Sequence, residues 1–309
     1  MRIVFMGTPE SSVPSLRRLV DDGHEIVAVW TQPDKPAGRG KQIHQSPVKE
    51  FALQNTLPTH QPQKLKTSEA KELFASHNAD VAIVVAYGKI LPLEFLSAPR
   101  DGCINVHFSL LPKYRGAAPV NWAIVNGETE TGVTTMQIVE ELDAGPILLQ
   151  QSTDIQEEET APELMSRLAE IGAELLSDTL KRIESVEPKP QRDDLATFAQ
   201  MLKRENGLID WSMDALAIER RVRGFQPWPN AHTILDSRRL ILWRAAAEST
   251  DAIIRSPGQI LEARADEFMV ACGQATALRI LELQLEGTRR MSARDFINGA
   301  HIEVGAKLG

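Results

Sequence analysis

Short apolar runs alternate with stretches of helical period over the first 107 residues, and no other feature limits the possible folds as much. Residues 2–6 form an apolar run that ends at Gly7-Thr8-Pro9. In residues 10–22, Val13, Leu16, Leu19 and Val20 then recur at the spacing of one helix face. Further runs at 25–30, 80–85 and 102–107 predict strands, and 68–77 a helix. Strands that alternate with helices imply crossover connections, so the expected architecture is α/β with a mostly parallel, right-handed, Rossmann-like sheet. Two extended segments, 131–139 and 146–155, follow. An amphipathic helix over 161–183, marked by Leu164, Leu168, Ile171, Leu175, Leu176 and Leu180, closes the first domain.

Beyond residue 185 the apolar period weakens, and Pro188 and Pro190 punctuate a charged stretch. The expected division is a first domain over 1–189, a surface linker over 190–205 and a second domain over 206–309; 309 residues suffice for two cores. After a short helix at 215–223, runs at 231–235, 239–244, 258–262, 268–271 and 277–283 read as short strands separated by turn residues. That spacing suggests a small antiparallel, OB-like β-barrel.

Composition narrows the class. At 42% hydrophobic and 25% charged residues, the chain excludes wholesale disorder, collagen-like repeats and a disulfide-stapled miniprotein. The longest apolar run, 81–87, falls far short of the roughly 20 residues a membrane span needs. The opening run also breaks before a signal-peptide core forms, so neither membrane insertion nor export is expected. Cys103 and Cys272 lack metal-ligand spacing and read as buried small hydrophobes, which suits a reducing cytoplasm. A formal charge of −8 argues against a general nucleic-acid coat. Basic and acidic side chains balance over 206–309, so the whole deficit lies in the first 205 residues. Against it stands the loop 33–49, with Lys35, Arg39, Lys41 and Lys49 opposed by Asp34 alone, a place where a polyanion can be held.

The turn Gly7-Thr8-Pro9 lacks the glycine spacing of a dinucleotide fingerprint, and no phosphate loop, H-E-x-x-H or G-x-S-x-G occurs. The informative stretch is C-I-N-V-H-F-S-L-L-P-K-Y-R-G-A-A-P at 103–119. Asn105 and His107 lie two apart at the end of a strand, hence on one face, at the edge where open α/β sheets bind ligands. An amide donor beside an imidazole suits attack on a carbonyl, one group holding the oxyanion and the other moving a proton. Alone, such a pair is more commonly a hydrogen-bonded strand-end histidine, and Asp143 alone a solvated turn acid. Residues 81–87 and the turn Gly88-Lys89-Ile90-Leu91-Pro92 read either as a buried strand with its turn or as one wall of a ring slot. Trp228, between Pro227 and Pro229, reads as a packed side chain or a stacking platform.

Taken together, G-T-P near the start, T-Q-P-D-K-P-A-G-R-G-K at 31–41, G-K-I-L-P at 88–92, the 103–119 stretch and E-E-L-D-A-G at 140–145 resemble the folate-dependent formyltransferase family. N-G-L-I-D-W at 206–211 and G-F-Q-P-W-P at 224–229 extend the likeness more loosely. The resemblance implies a Rossmann-like catalytic domain followed by an OB-like barrel. It further implies transfer of a formyl group from 10-formyltetrahydrofolate, without a metal, to the α-amine of methionyl initiator tRNA. Asn105, His107 and Asp143 would be catalytic. Ser109, Leu110, Leu111 and Pro112, with Tyr87, Gly88 and Ile90, would hold the folate, and Lys35, Arg39 and Lys41 the tRNA. A monomer is expected. One departure is Phe108, at a position usually small in relatives, which leaves open a displaced loop or a ring against the pocket wall. Two other readings stand beside this one. They are a formyltransferase acting on an amino-sugar nucleotide, and a non-catalytic RNA-binding protein whose first domain is a scaffold.

Overall fold

The computed structural model describes residues 1–37, 42–249, 256–300 and 302–309. The chain divides into two compact units. One comprises Met1–Pro119, Glu130–Asp154 and Met165–Ala199; the other comprises Val120–Thr129, Ile155–Leu164 and Gln200–Gly309.

In the first unit, strands β1 (Arg2–Gly7), β2 (Glu25–Trp30), β5 (Thr59–His60), β6 (Val81–Val85), β7 (Cys103–His107), β9 (Glu130–Gln137) and β10 (Ile147–Asp154) form one sheet in the order β10-β9-β7-β6-β1-β2-β5. Strands β7 through β5 run parallel, and β9 and β10 add an antiparallel edge. The sheet is therefore mostly parallel, as expected. Every residue of β6 is buried, which is why V-A-I-V-V shows no alternation: helices cover a central parallel strand on both faces. The helices are α1 (Val13–Asp21), α2 (Pro47–Gln54), α3 (Ser68–Ser76), α4 (Leu93–Ser97), α5 (Pro119–Val125) and α6 (Ala161–Lys181), although α5 beyond its first residue and the first turn of α6 cluster with the second unit. Thr67 caps α3 through its side chain and Ser46 caps α2 in the same way, with Pro47 at the first helical position.

The described residues of the stretch read as a basic loop form regular elements. Strands β3 (Lys35–Ala37) and β4 (Gln42–His44) pair antiparallel, and α2 follows at once. Lys49 sits in the first turn of α2 and pairs with Asp34 at 2.6 Å, so its charge is matched locally, not offered to a ligand. Arg39 and Lys41 lie outside the described residues.

Residues 189–199, most of them read as linker, are stitched to the first unit. Lys189 and Ile147 exchange backbone hydrogen bonds at 2.8 Å in both directions. Strand β11 (Phe198–Ala199) pairs parallel with β8 (Arg115–Gly116).

The second unit holds an antiparallel sheet of β12 (His232–Leu235), β13 (Arg238–Ser249), β14 (Ile260–Arg264), β15 (Glu267–Ala271), β16 (Thr276–Leu285) and β17 (Met291–Ser292), in the order β12-β13-β16-β15-β14 with β17 on β16. Residues 305–309 tie its two edges together. Gly305 N–H donates to Ile260 O, Ile260 N–H to Ala306 O, Leu308 N–H to Gly258 O and Gly309 N–H to Ile234 O. These bonds link the β14 side of the sheet to β12 and so close the barrel. Helices α7 (Ala215–Gly224) and α8 (Ala293–Gly299) pack on a core that includes Ile218, Val222, Leu240, Phe268, Leu278 and Phe296. Helix α8 is a further element not read from sequence, and Ser292 caps it. Trp228 is 53% exposed, unlike the packed position usual for a tryptophan between prolines. Both cysteines are free and buried. Among the described residues no helix is long and apolar enough to cross a membrane.

Candidate active site

The carboxyl ends of β1, β6 and β7 lie side by side, because these strands are adjacent and parallel. Here β1 leads away to β2 on one side while β6 and β7 lie on the other, the kind of reversal at which open α/β sheets bind ligands. Strand alternation puts Asn105 and His107 on one face of β7 and Val106 and Phe108 on the other. A Cβ placed on Gly172 of α6 would stand 2.9 Å from Val106 Cγ1 and 3.5 Å from Phe108 Cε1. Phe108 therefore packs, buried, on the helix side, the face opposite Asn105 and His107.

His107 is 6% exposed, and its ring is fixed by the backbone. Nε2 lies 3.0 Å from Tyr114 O, and a carbonyl only accepts, so Nε2 carries a proton and donates it. Nδ1 then faces Asp143, with Oδ2 3.7 Å away. That separation exceeds a hydrogen bond yet allows an ion pair when the imidazole is charged. The same Oδ2 accepts the Gly116 N–H at 2.9 Å. The imidazole is thus oriented by Tyr114 O, whereas Asp143 stands opposite the ring nitrogen left available.

The loop 108–116 is held by buried polar groups. Thr134 Oγ1 donates to Ser109 O at 2.7 Å and accepts the Leu111 N–H at 3.1 Å. Gln150 Nε2 reaches Leu111 O and Thr134 Oγ1, both at 2.9 Å. Ser109 Oγ donates to Lys113 O at 2.7 Å. Ser109 and Leu111 are buried, so they shape the loop from beneath, while Leu110 and Pro112 remain partly exposed.

Across the site, Asp143 has φ +49°, the left-handed region seldom used by residues other than glycine. Two residues on, Gly145 permits a close return: a Cβ there would lie 1.8 Å from Gln137 O. Gln191 Nε2 donates to both Asp143 O and Gly145 O at 2.8 Å. Its Oε1 accepts Arg115 Nε at 3.0 Å. Sequence reasoning missed Gln191 and Thr134. Neither belongs to a local pattern, and the partners of Gln191 lie 46 to 76 positions away.

The β6 turn divides the remaining expectations. Tyr87 is buried among Trp30, Phe74 and Phe95, and burial raises its hydroxyl well above the usual tyrosine range. Its carbonyl accepts Thr8 Oγ1 at 3.1 Å and Gln32 Nε2 at 3.0 Å, so Tyr87 builds the turn and its ring faces the core. Gly88, with φ +80°, is exposed, and Ile90 is 83% exposed. Of the residues expected to hold a heterocycle, Gly88 and Ile90 are therefore exposed and Leu110 and Pro112 partly exposed, whereas Tyr87, Ser109 and Leu111 are buried. Lys89 donates to Pro62 O at 2.5 Å and Gln63 O at 2.9 Å. Burial lowers its ammonium from the usual lysine value, with the charge of the exposed Lys35 adding to that shift.

Comparison with known proteins identifies the family. The Formyl transferase family matches residues 1–180, and the Formyl transferase C-terminal domain matches 201–301. Methionyl-tRNA formyltransferase of Citrifermentans bemidjiense is 49% identical over 311 residues, covering 100% of this chain and 96% of that one. HypX from Aquifex aeolicus in complex with tetrahydrofolic acid superposes with a TM-score of 0.65 at 18% identity, over 96% of this chain and 47% of HypX. The N-formyltransferase from Helicobacter canadensis, in complex with folinic acid and dTDP-3-aminofucose, gives 0.65 at 18% identity over 90% and 98%. At such identities the two structures speak to fold alone, whereas the two family matches and the full-length likeness settle membership: the chain belongs to the formyl transferase family.

Proposed function

We propose that the protein transfers the formyl group of 10-formyltetrahydrofolate to the α-amino group of methionyl initiator tRNA. The observation that supports this reading is the Asp143 carboxylate opposite His107 at the carboxyl edge of the parallel sheet, with Nδ1 3.7 Å from Oδ2 and Asn105 two residues before His107 on the same face of β7. The choice of acceptor rests on the 49% identity, along the whole chain, to a relative named methionyl-tRNA formyltransferase.

The folate supplies the electrophilic formyl carbon, and Gly88, Ile90, Leu110 and Pro112 hold its ring. The amine of the aminoacylated tRNA is the nucleophile, so the protein needs no nucleophile of its own. Asn105 donates its amide hydrogen to the formyl oxygen, where negative charge develops. His107 is anchored through Nε2, so it stabilises the same oxygen in its doubly protonated form, through Nδ1–H, with the Asp143 carboxylate beside the cation. Asp143 accepts the proton lost by the attacking amine, directly or through water; the tetrahedral adduct then collapses by breaking the bond between the formyl carbon and N10 of the folate, which takes up that proton and leaves as tetrahydrofolate. Because Gly116 N–H and the 143–145 turn fix its carboxylate, little reorganisation accompanies the step.

The second unit and the β3–β4 hairpin complete the reading. Lys35, at the start of the hairpin, and Arg39 and Lys41, between its strands, reach the tRNA acceptor end, and the second unit supplies further tRNA surface. The protein acts as a monomer in the cytoplasm, where Cys103 and Cys272 stay reduced. An amino-sugar acceptor is supported only by neighbours near 18% identity, and a non-catalytic scaffold gives no reason for the trio to converge. Incubating the protein with labelled 10-formyltetrahydrofolate, methionyl initiator tRNA and a dTDP-linked amino sugar tests the acceptor. Label on the tRNA supports the proposal; label on the sugar, or on neither, refutes it.

A further inference from the structure

We propose that Gln191 is a positioning residue for formyl transfer: it fixes the turn that carries Asp143 and, through Arg115, ties that turn to the loop that orients His107. The inference rests on the assignment of Asp143 and His107 to catalysis.

A primary amide offers two donors and an acceptor in one plane, and Gln191 uses both functions. Its nitrogen spans the turn, donating to Asp143 O and Gly145 O at 2.8 Å, and its oxygen accepts Arg115 Nε at 3.0 Å. Arg115 is 3% exposed and donates again to Asp193 Oδ1 at 2.8 Å. The chain neighbours of Arg115 make the two contacts that set the catalytic groups: Tyr114 O takes His107 Nε2, and Gly116 N–H takes Asp143 Oδ2. The circuit runs from His107 through Tyr114, Arg115 and Gln191 to Asp143 and returns to His107 Nδ1 across 3.7 Å. Its weak member is Asp143, whose left-handed backbone persists only where the surroundings over-determine it. Gln191 supplies that determination on both sides of Ala144. Without its donors the turn relaxes and the carboxylate moves, and a displacement of about 1 Å costs on the order of 100-fold in rate. The hydrogen bonds of Gln191, including a long one to Met136 Sδ at 4.0 Å, are all made to the protein, so it acts on the reaction through Asp143.

Two variants of the full chain test this. Gln191→Met keeps the length without polar atoms, and Gln191→Glu keeps the acceptor for Arg115 but removes both donors. Both should lower kcat by about 10- to 100-fold, with KM for 10-formyltetrahydrofolate and for methionyl-tRNA within about threefold of the parent. In an Asp143→Asn background, where the charge being placed is gone, Gln191→Met should cost less than about threefold more. Parental kcat in both single variants, losses that multiply in the double variant, a rise in KM in place of the fall in kcat, or failure of both variants to fold would each overturn the proposal. An Asp143→Asn variant with parental kcat would instead overturn the catalytic assignment itself, so the two failures are distinct.

Discussion

The two sheets of this protein solve different problems. The antiparallel sheet of the second unit joins the hairpin β12–β13 to the run β14–β15–β16–β17 through the pairing of β13 with β16, and residues 305–309 bond to both of its edges around an apolar core. The carboxyl edge of the parallel sheet is assembled from segments far apart in the chain: 105–116, Thr134, 143–145 and Gln191. It buries His107, Ser109, Arg115 and Thr134, each with hydrogen-bond partners. Burying so many polar groups is costly unless all are satisfied, and apolar packing alone would give a simpler fold. The difference shows where buried polar structure is concentrated: at an edge whose loops are held by one another, while the core of the barrel is apolar.

That contrast is broken first at the catalytic face. Asn105→Ala and His107→Ala should each lower kcat by about 10² to 10³-fold with the fold intact, the size of losing one oxyanion donor. Near-normal turnover in steady-state kinetics would remove that residue from the mechanism. Asp143→Asn, which keeps the shape and removes the charge, should follow with a loss of about 10²-fold and an altered pH–rate profile. A matched pair sharpens the comparison between the sheets. Thr134→Val removes the hydroxyl that holds Ser109 and Leu111, so it should cost about 1 to 3 kcal/mol in stability and lower kcat. Thr233→Val removes the partner of Trp211 Nε1 in the barrel and should cost a similar amount while leaving kcat alone. Denaturant melts with parallel assays decide, and equal effects on kcat would erase the distinction.

Smaller effects are expected away from both cores. Lys41→Ala should reduce the salt dependence of tRNA affinity by about one unit in the log–log slope, with folate binding unchanged. Identical salt series for parent and variant would remove the hairpin from the tRNA surface. The smallest effect belongs to the far edge of the parallel sheet, where burial lowers the imidazoles of His60 and His77 from 6.5, the charge of His60 adding to the shift at His77. Folding then favours their neutral forms. Their contribution to stability is complete above pH 6.5 and is lost as the pH falls through the lowered values. Replacing both by Gln should flatten the acid side of a melting-temperature profile, and an unchanged slope would assign the acid sensitivity elsewhere.

What the sequence disclosed follows from how local each determinant is. The parallel strands and α1, α3 and α6 were legible because each carries its own period; the shared face of Asn105 and His107 follows from their spacing in β7, whereas Asp143, in the connection between β9 and β10, was singled out only through the family resemblance. Helix α2 was hidden in a stretch read for its charge, although Ser46-Pro47 marks its start. The direction of Phe108 was available from alternation with His107 and needed only to be taken over the motif. Gln191 and the Tyr114 carbonyl were not legible. One acts across dozens of residues, and the other is a main-chain group whose aim depends on a backbone with φ +62°.

The most direct test of the central claim is a crystal structure of the protein with 5-formyltetrahydrofolate, a stable analogue of the donor. The account predicts the pterin between the turn at Gly88 to Ile90 and the loop at Leu110 to Pro112, with the formyl-bearing end of the ring directed toward Asn105 and His107. A folate bound elsewhere, or with its formyl group turned away from those two side chains, would contradict it.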